Sequence, residues 1–468
     1  MTQLVWLRND LRLADNPALT RALALSREKD ESVALCYILT PAQWQSHDWG
    51  APRTDLLLRC LESLSRDAAA LGLPMHLLQA QTFRDGNQAL LDLCQRLAIR
   101  QVHANEEYAV NERRRDRDLK KALRARDADL LIYRDQTVVP VNALKTGSGE
   151  PYAVFTPFSR QWRRWVEENP IQLLPAPAPQ GPALTPTPVP ELASLRCERG
   201  HWFAAGEQAA HRALEAFTRE KMGQYKARRD FPAEPATSLL SPYLALGVLS
   251  GRQCLYQAQQ IQATGQGGEG AHTWITELCW RDFYVTILYH HPRVSRHRAY
   301  KTDTDSLPWN PPGEHFRAWC EGRTGIPLVD AAMRQLNQTG WMHNRLRMVT
   351  AMFLSKNLFI DWREGERYFM ENLLDGYLAS NNGGWQWSAS TGTDAAPYFR
   401  IFNPVTQSER FDPKGDFIRH YVPEIAHLQG KAIHDPQRTG GVPGYPAPIV
   451  DLKESRKEAI ARFQTLKK

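Results

Sequence analysis

The chain has 468 residues, 42% of them hydrophobic and 23% charged, with a formal net charge of +7. That leaves room for two or three domains of roughly 100–200 residues each, and the basic excess favours a polyanionic partner. No apolar run approaches the roughly 20 residues of a membrane span. The opening MTQLVWLRND carries charge and no cleavable apolar core. Cys36, Cys60, Cys94, Cys197, Cys254, Cys279 and Cys320 are scattered without a CxxC pair. A cytoplasmic protein with reduced thiols is expected, with no membrane association, zinc site or disulfide framework.

Short β-prone runs at 3–8, 32–39, 75–80, 101–108 and 129–139 alternate with helical stretches such as 53–72, which ends at Gly72 with Pro74 just beyond. Such alternation predicts an α/β domain with a parallel, doubly wound, Rossmann-like sheet, whose ligands gather at the carboxyl ends of the strands. From 170 to 190, eight prolines in 21 residues predict an extended, semi-rigid linker. Beyond about residue 205 the pattern is helical. A helix over 325–340 has Pro327 near its first turn and stops at Gly340. The next, from about Met342, puts Met342, Leu346, Val349 and Phe353 on one face and Asn344, Arg345 and Met348 on another. A third spans 364–376. The expected division is an α/β domain over 1–135, a connection with the proline linker over 136–204, and a larger all-helical domain over 205–468.

Several local signals are empty. GQGGEG (265–270) fits G-x-G-x-x-G but follows no strand and opens no βαβ unit, so it reads as a flexible loop. His290-His291 do not share a helical face and have no third ligand at metal spacing. The basic run at 291–301 suits either a solvated surface or phosphate contact. The stretch WITELCWRDFY (274–284) is sharper. Trp274, Glu277, Trp280 and Arg281 form one stripe in which indoles adjoin charged groups, although Glu277 and Arg281 four apart also fit a helical ion pair. Flat rings beside hydrogen-bonding groups suit a planar heteroaromatic ligand or a nucleobase.

Eight of the fourteen tryptophans lie between Trp274 and Trp387. The run NNGGWQWSAS (381–390) sets two of them after two amides that need partners if buried and two glycines that either turn the chain or admit a close approach. If the run behaves as an extended or irregular turn, Trp385 and Trp387 would serve different partners. Indole is readily oxidised by one electron, so Trp309, Trp362 and Trp385 could relay electrons if the fold brings them near one another.

The segment WREGERYFMENLLDGYLASNNGGWQWSASTGTDAAPYFRIFNP (362–404) resembles the cofactor region of the photolyase/cryptochrome family, most closely the bacterial class I cyclobutane pyrimidine dimer photolyases. The likeness extends to VWLRNDLRLADNPAL (5–19), VFTPFSRQW (154–162), RRDFPAEPATSLLSPYLALGVLSGRQ (228–253), ELCWRDFY (277–284) and 325–358. It implies a helical domain binding FAD, in its reduced anionic form when active. Tyr225 and Thr237, Ser238, Leu239, Leu240 and Ser241 would hold its phosphates. Arg347 would pair with Asp375 beside the ring, and Asn381 would face the flavin N5. Trp274, Arg281, Asn344, Gly376 and Tyr377 complete the cofactor contacts that the resemblance implies.

The implied partner is UV-damaged DNA, single- or double-stranded, with the dimer flipped out at a cost of a few kcal/mol. Trp280 and Trp387 would pack on it, Glu277 and Asn344 would bond its base edges, and Glu277 would stabilise its radical anion. Met348 and Arg281 would line the pocket, and Arg229, Arg345 and Arg400 would meet phosphates. Trp385, Trp362 and Trp309 match the family's photoreduction relay. The resemblance also implies a folate antenna, 5,10-methenyltetrahydrofolate, at Asn111 and Glu112, with a deazaflavin as the alternative. Arg296 stands where relatives carry lysine near the folate, and Tyr377 replaces the Asp of DGDL. The implied activity is that of a monomeric, light-driven dimer-repair lyase. A cryptochrome-like photoreceptor would often add a long C-terminal tail, and a (6-4) photolyase would want a histidine pair where Asn344, Arg345 and Met348 stand.

Overall fold

The computed structural model describes residues 2–265 and 267–467. Five parallel strands, β1 (Thr2–Leu7), β2 (Ser32–Leu39), β3 (Met75–Gln79), β4 (Gln101–Asn105) and β5 (Asp129–Tyr133), form one sheet in the order β3-β2-β1-β4-β5. Leu4 pairs with Ala34 on one side and Val102 on the other. β2, SVALCYIL, is buried from Val33 to Leu39, the near-continuous apolar run of a strand covered on both faces. The chain reverses about β1, the doubly wound arrangement expected from the sequence. The runs at 101–108 and 129–139 leave the sheet sooner than their composition indicated, at Asn105 and Tyr133.

The helices, in chain order, are α1 (Pro17–Lys29), α2 (Pro41–Ser46), α3 (Ala51–Ala70), α4 (Phe83–Arg96), α5 (Val110–Arg124), α6 (Phe155–Glu168), α7 (Glu207–Glu220), α8 (Tyr225–Arg228), α9 (Ser241–Ala245), α10 (Gly251–Ala263), α11 (Gly268–His290), α12 (Glu314–Glu321), α13 (Pro327–Thr339), α14 (Asn344–Met352), α15 (Trp362–Asn372), α16 (Leu378–Ala389), α17 (Pro404–Phe411), α18 (Asp416–Tyr421) and α19 (Leu452–Gln464). Two compact units result: residues 1–223 with 238–292, and 224–237 with 293–468. The sheet unit thus takes in α7 and α9–α11, well past the expected boundaries at 135 and 204.

Buried charge explains this extension. Asp135 accepts from both Arg12 and Arg252, and Arg252 also reaches Asp15 at 2.9 Å. Ser250 Oγ donates to Asp15 Oδ2 at 2.6 Å. The loop after β1 is therefore locked to the start of α10 by ions whose loss would strand a partner in the interior. Asp10 is pushed up to about 6 by burial and by Asp135. The proline-rich segment has neither helix nor strand, yet it is strapped down: Gln180 N donates to Leu71 O at 2.8 Å and Thr187 Oγ1 to Met75 O at 2.7 Å. Gly268 already opens α11, so the loop expected over GQGGEG is cut short; its Gln266 lies outside the described residues.

His103 on β4 is fully buried between Gln3 Oε1 at 2.7 Å and Tyr133 Oη at 2.8 Å. Burial lowers its pKa from 6.5 to about 4. The unfolded chain then binds more protons between those values, so stability falls as pH drops from 6.5 toward 4. At about 1.4 kcal/mol per pKa unit the loss is of order 3 kcal/mol. Urea midpoints at pH 7.5 and 5 should show about 2 kcal/mol of it, and His103→Gln should flatten the difference.

The second unit is helical. Its core gathers Trp319, Met333, Leu346, Val349, Phe353, Trp362, Phe369 and Trp385. Met342, Leu346, Val349 and Phe353 all face this core as expected, although the helix itself starts at Asn344. α13 stops at Gly340 in the left-handed region (φ 72°). α15 ends at Asn372, short of Gly376, because Leu373 turns extended. Among the described residues no helix is long and apolar enough to cross a membrane, and no cluster of three or more His, Cys, Asp or Glu could hold a metal. The seven cysteines are free, and His290 bonds the Val141 carbonyl at 3.0 Å.

Candidate cofactor and electron-relay site

NNGGWQWSAS is not a turn. It forms the body of α16, which ends at Ser390 in the left-handed conformation (φ 64°). Adjacent glycines and asparagines are weak helix formers, so packing holds this helix. The consequence for its side chains follows from about 100° per residue. Asn381 and Trp385, four apart, share a face, and Trp387 lies roughly 200° round from Trp385. Trp385 is buried and Trp387 half-buried. In an extended strand the two indoles, two apart, would share a face; it is the helix that sets them on opposite sides.

Trp385 sits 5.0 Å from Phe369 and 6.0 Å from Trp319, both edge-on. The space comes from Gly365 on α15, where a Cβ would lie 2.1 Å from Trp385 Cη2. Gly365→Ala should cost about 1–3 kcal/mol by overpacking, read as a lowered urea midpoint with altered near-UV dichroism. Trp362 opens α15 fully buried, and Trp309 packs 4.7 Å from Phe359. The indole N–H groups of Trp309, Trp362 and Trp385 are all buried without an acceptor. An indole oxidised in such a place has no adjacent base to take its proton. Trp319, which sequence reasoning missed, joins the cluster through space from α12 and carries no local signal.

Asn381 Nδ2 donates to Glu366 O at 2.9 Å, which leaves the amide's Oδ1 end for a ligand. Arg347 donates to Asp375 Oδ2 at 2.9 Å and to Met342 O at 2.8 Å. Asp375 Oδ1 is buried without a partner, so a ligand bearing an N–H or O–H donor fits beside it. Gly376 and Tyr377 lead directly into α16, and Tyr377 O accepts from Asn381 N at 2.9 Å.

The candidate DNA contacts of this unit are less uniform. Asn344 is exposed and Met348 half-buried. Arg345 pairs with Asp230 at 2.8 Å and lies over the Phe411 ring, so its charge is already partly answered. Arg229 stands 3.9 Å from the same Asp230 and over the Tyr225 ring at 5.4 Å. Arg400 is exposed, next to Phe399, which is 55% exposed. Thr237 closes the first segment of this unit, and Arg296 is exposed.

In the sheet unit the stripe on α11 separates. Trp274 is buried against Phe217 at 5.1 Å, a packing position. Trp280 stacks on Phe155 with centroids 3.5 Å apart, and Glu277 is half-buried. Arg281 is turned to the carbonyls of Gln136 and Leu244, the latter at 3.2 Å. Through these contacts its guanidinium braces the loop before α6. Ser238, Leu239, Leu240 and Ser241 lead into α9, and Leu239 holds φ 54°, unusual for a branched side chain.

A cleft opens at the carboxyl ends of β1, β2 and β4, bordered by Arg8, Tyr37, Trp49, Glu107, Glu112 and Arg115. His47 lies 3.0 Å from Asn111 Nδ2 and 3.5 Å from Glu112 Oε1. Burial and the neighbouring Glu107 push Glu112 up to about 7. Trp44 and Trp49 stack at 5.6 Å, Arg53 covers Trp49 at 3.5 Å, and Arg8 and Arg115 both lie 4.6 Å from Trp6.

Residues 3–181 match the DNA photolyase family profile and residues 274–465 that of the FAD-binding domain of DNA photolyase. The deoxyribodipyrimidine photo-lyase of Escherichia coli (strain K12) is 44% identical, with 100% of this chain and 99% of the relative covered. A bacterial class III photolyase from Agrobacterium tumefaciens superimposes with TM-score 0.87 at 34% identity, covering 100% of this chain and 98% of that one. An archaeal photolyase from Sulfolobus tokodaii, solved with two FAD molecules, gives TM-score 0.85 at 29% identity, over 99% of this chain and 100% of its own. By this match along its whole length, the chain belongs to the DNA photolyase family.

Proposed function

We infer that the protein reverses cyclobutane pyrimidine dimers in DNA with light, using FAD. The observation that carries this is α16, which sets Asn381 and the buried Trp385 on one side and the half-buried Trp387 on the other. One helix thereby serves a redox cofactor and a stacking ligand without bringing either into the other's place. The E. coli relative's name, deoxyribodipyrimidine photo-lyase, agrees with this substrate. Reduced FAD supplies, on excitation, one electron that opens the cyclobutane ring and then returns. The chain's own residues bind and orient. Arg347 and Asp375 hold the cofactor ring and Asn381 meets its N5. Tyr225, Thr237 and Ser238–Ser241 hold its phosphates. Trp280 and Trp387 stack on the flipped dimer, Glu277 and Asn344 bond its edges, and Arg229, Arg345 and Arg400 meet its phosphates. Trp309, Trp362 and Trp385 restore reduced cofactor by passing electrons inward from solvent. The protein acts as a cytoplasmic monomer on single- or double-stranded DNA.

The antenna is a folate at the mouth of the sheet cleft, held by Asn111 and Glu112. Trp44 and Trp49, stacked at 5.6 Å, line this cleft and offer flat faces to a planar chromophore; a deazaflavin is the alternative. The test is retention in the dark. An oligonucleotide with one thymine dimer should be retarded on a gel by the reduced protein and released after near-UV illumination. Equal affinity for undamaged DNA would overturn the reading.

A further inference from the structure

Glu366, in the middle of α15, is 2% exposed and belongs to no role assigned above. It ends a chain of hydrogen bonds whose direction is fixed at both ends. Tyr300 N–H, which only donates, meets Gln386 Oε1 at 2.8 Å. Gln386 must then present its NH2, which donates to Asn382 Oδ1 at 2.8 Å. Asn382 in turn donates to Glu366 Oε1 at 2.8 Å, and a carboxylate there only accepts. The second Glu366 oxygen lies 3.5 Å from His297 Nδ1. Neither amide can flip without breaking two bonds. The neighbouring Asn381 is tied to the same residue, through Nδ2 to the Glu366 main-chain carbonyl. Both amides of the Asn381–Asn382 pair thus terminate on Glu366, one on its backbone and one on its side chain.

We propose that Glu366 is a positioning residue that makes Asn381 a one-way acceptor toward the cofactor, so that the site holds reduced flavin in preference to oxidised. This rests on the reading of Asn381 as the N5 partner. Oxidised flavin presents a lone pair at N5, which meets the lone pairs of Oδ1 unfavourably. Reduced flavin carries N5–H, which donates to them. Anchoring Asn382 to the carboxylate fixes the register of α16 against α15, and with it the bond that holds the Asn381 amide in this orientation. An amide free to rotate would serve both redox states equally.

The test is the midpoint potential of the flavin in the purified holoprotein, measured against reference dyes, with flavin content and thermal stability followed in parallel. Glu366→Leu should weaken the preference for reduced flavin at least tenfold, which is about 30 mV for a two-electron couple. Asn382→Ala removes the same link from the other end and should shift the potential in the same direction, so the test survives if one variant folds poorly. Glu366→Gln should stay within about threefold of wild type (about 14 mV), because the fixed Tyr300 end forces the new amide to present its oxygen to Asn382. A potential unmoved in both Glu366→Leu and Asn382→Ala overturns the proposal. So does a Glu366→Gln shift as large as that of Glu366→Leu, which would assign the effect to charge. A wild type that carries no flavin overturns the reading of the site together with this proposal, whereas a flavin-bearing wild type with unmoved variants overturns this proposal alone.

Discussion

Trp385→Phe should slow light-driven reduction of the bound flavin by about a hundredfold, the effect of a few kcal/mol of added barrier, and leave dimer binding close to wild type. Trp387→Ala should do the reverse: normal photoreduction, with dimer affinity reduced by the roughly 1–3 kcal/mol that one aromatic stacking contact is worth. The two residues are two apart in sequence, yet they stand on opposite sides of α16, Trp385 against Phe369 and Trp319 and Trp387 half-buried. Phenylalanine keeps most of the packing against Gly365 and Phe369 and is much harder to oxidise than indole. Flash absorbance of the flavin and gel retardation on a dimer-containing oligonucleotide separate the two outcomes. Identical behaviour of the two variants would mean that α16 does not divide the site.

Asp375→Ala should give a pale protein that has lost most of its flavin and about 1.5–3 kcal/mol of stability. Asp375 is buried and Arg347 partly exposed; without Asp375, Arg347 would keep only its bond to the Met342 carbonyl, with water taking up part of its charge. The unpartnered Asp375 Oδ1 is also lost, and with it an acceptor for the cofactor. Arg347→Leu combined with Asp375→Ala should recover part of the stability and none of the flavin. Flavin released per mole of protein, set beside the urea midpoint, distinguishes pairing from cofactor binding.

Much of this arrangement is legible in the sequence, and what is not has a common physical origin. Four of the five strands start where the β-prone runs start and β1 one residue earlier, because alternating α/β patterns and buried Val, Leu and Ile declare themselves locally. The core face of α14 follows from its periodicity. The proline segment is extended for lack of donors, but its straps to Leu71 and Met75 depend on distant carbonyls that no local pattern announces. NNGGWQWSAS reads as a turn because Asn and Gly are poor helix formers, and is a helix because Trp385 fills the space over Gly365 and Glu366 takes both amides. Arg281 bonds the carbonyls of Gln136 and Leu244, partners that its spacing on α11 does not announce. Asp230, His47, Trp319 and Glu366 enter the sites only through space, from helices and loops remote in sequence.

The most direct test of the central claim is chemical. Purified protein with its flavin reduced is mixed with an oligonucleotide carrying one thymine dimer, split between darkness and near-UV light, and the intact thymines are counted by chromatography. Dimer reversal in the light alone, retained by Trp385→Phe when its flavin is reduced chemically beforehand, is the predicted result. Binding of the lesion without any light-dependent gain of intact thymines would contradict it.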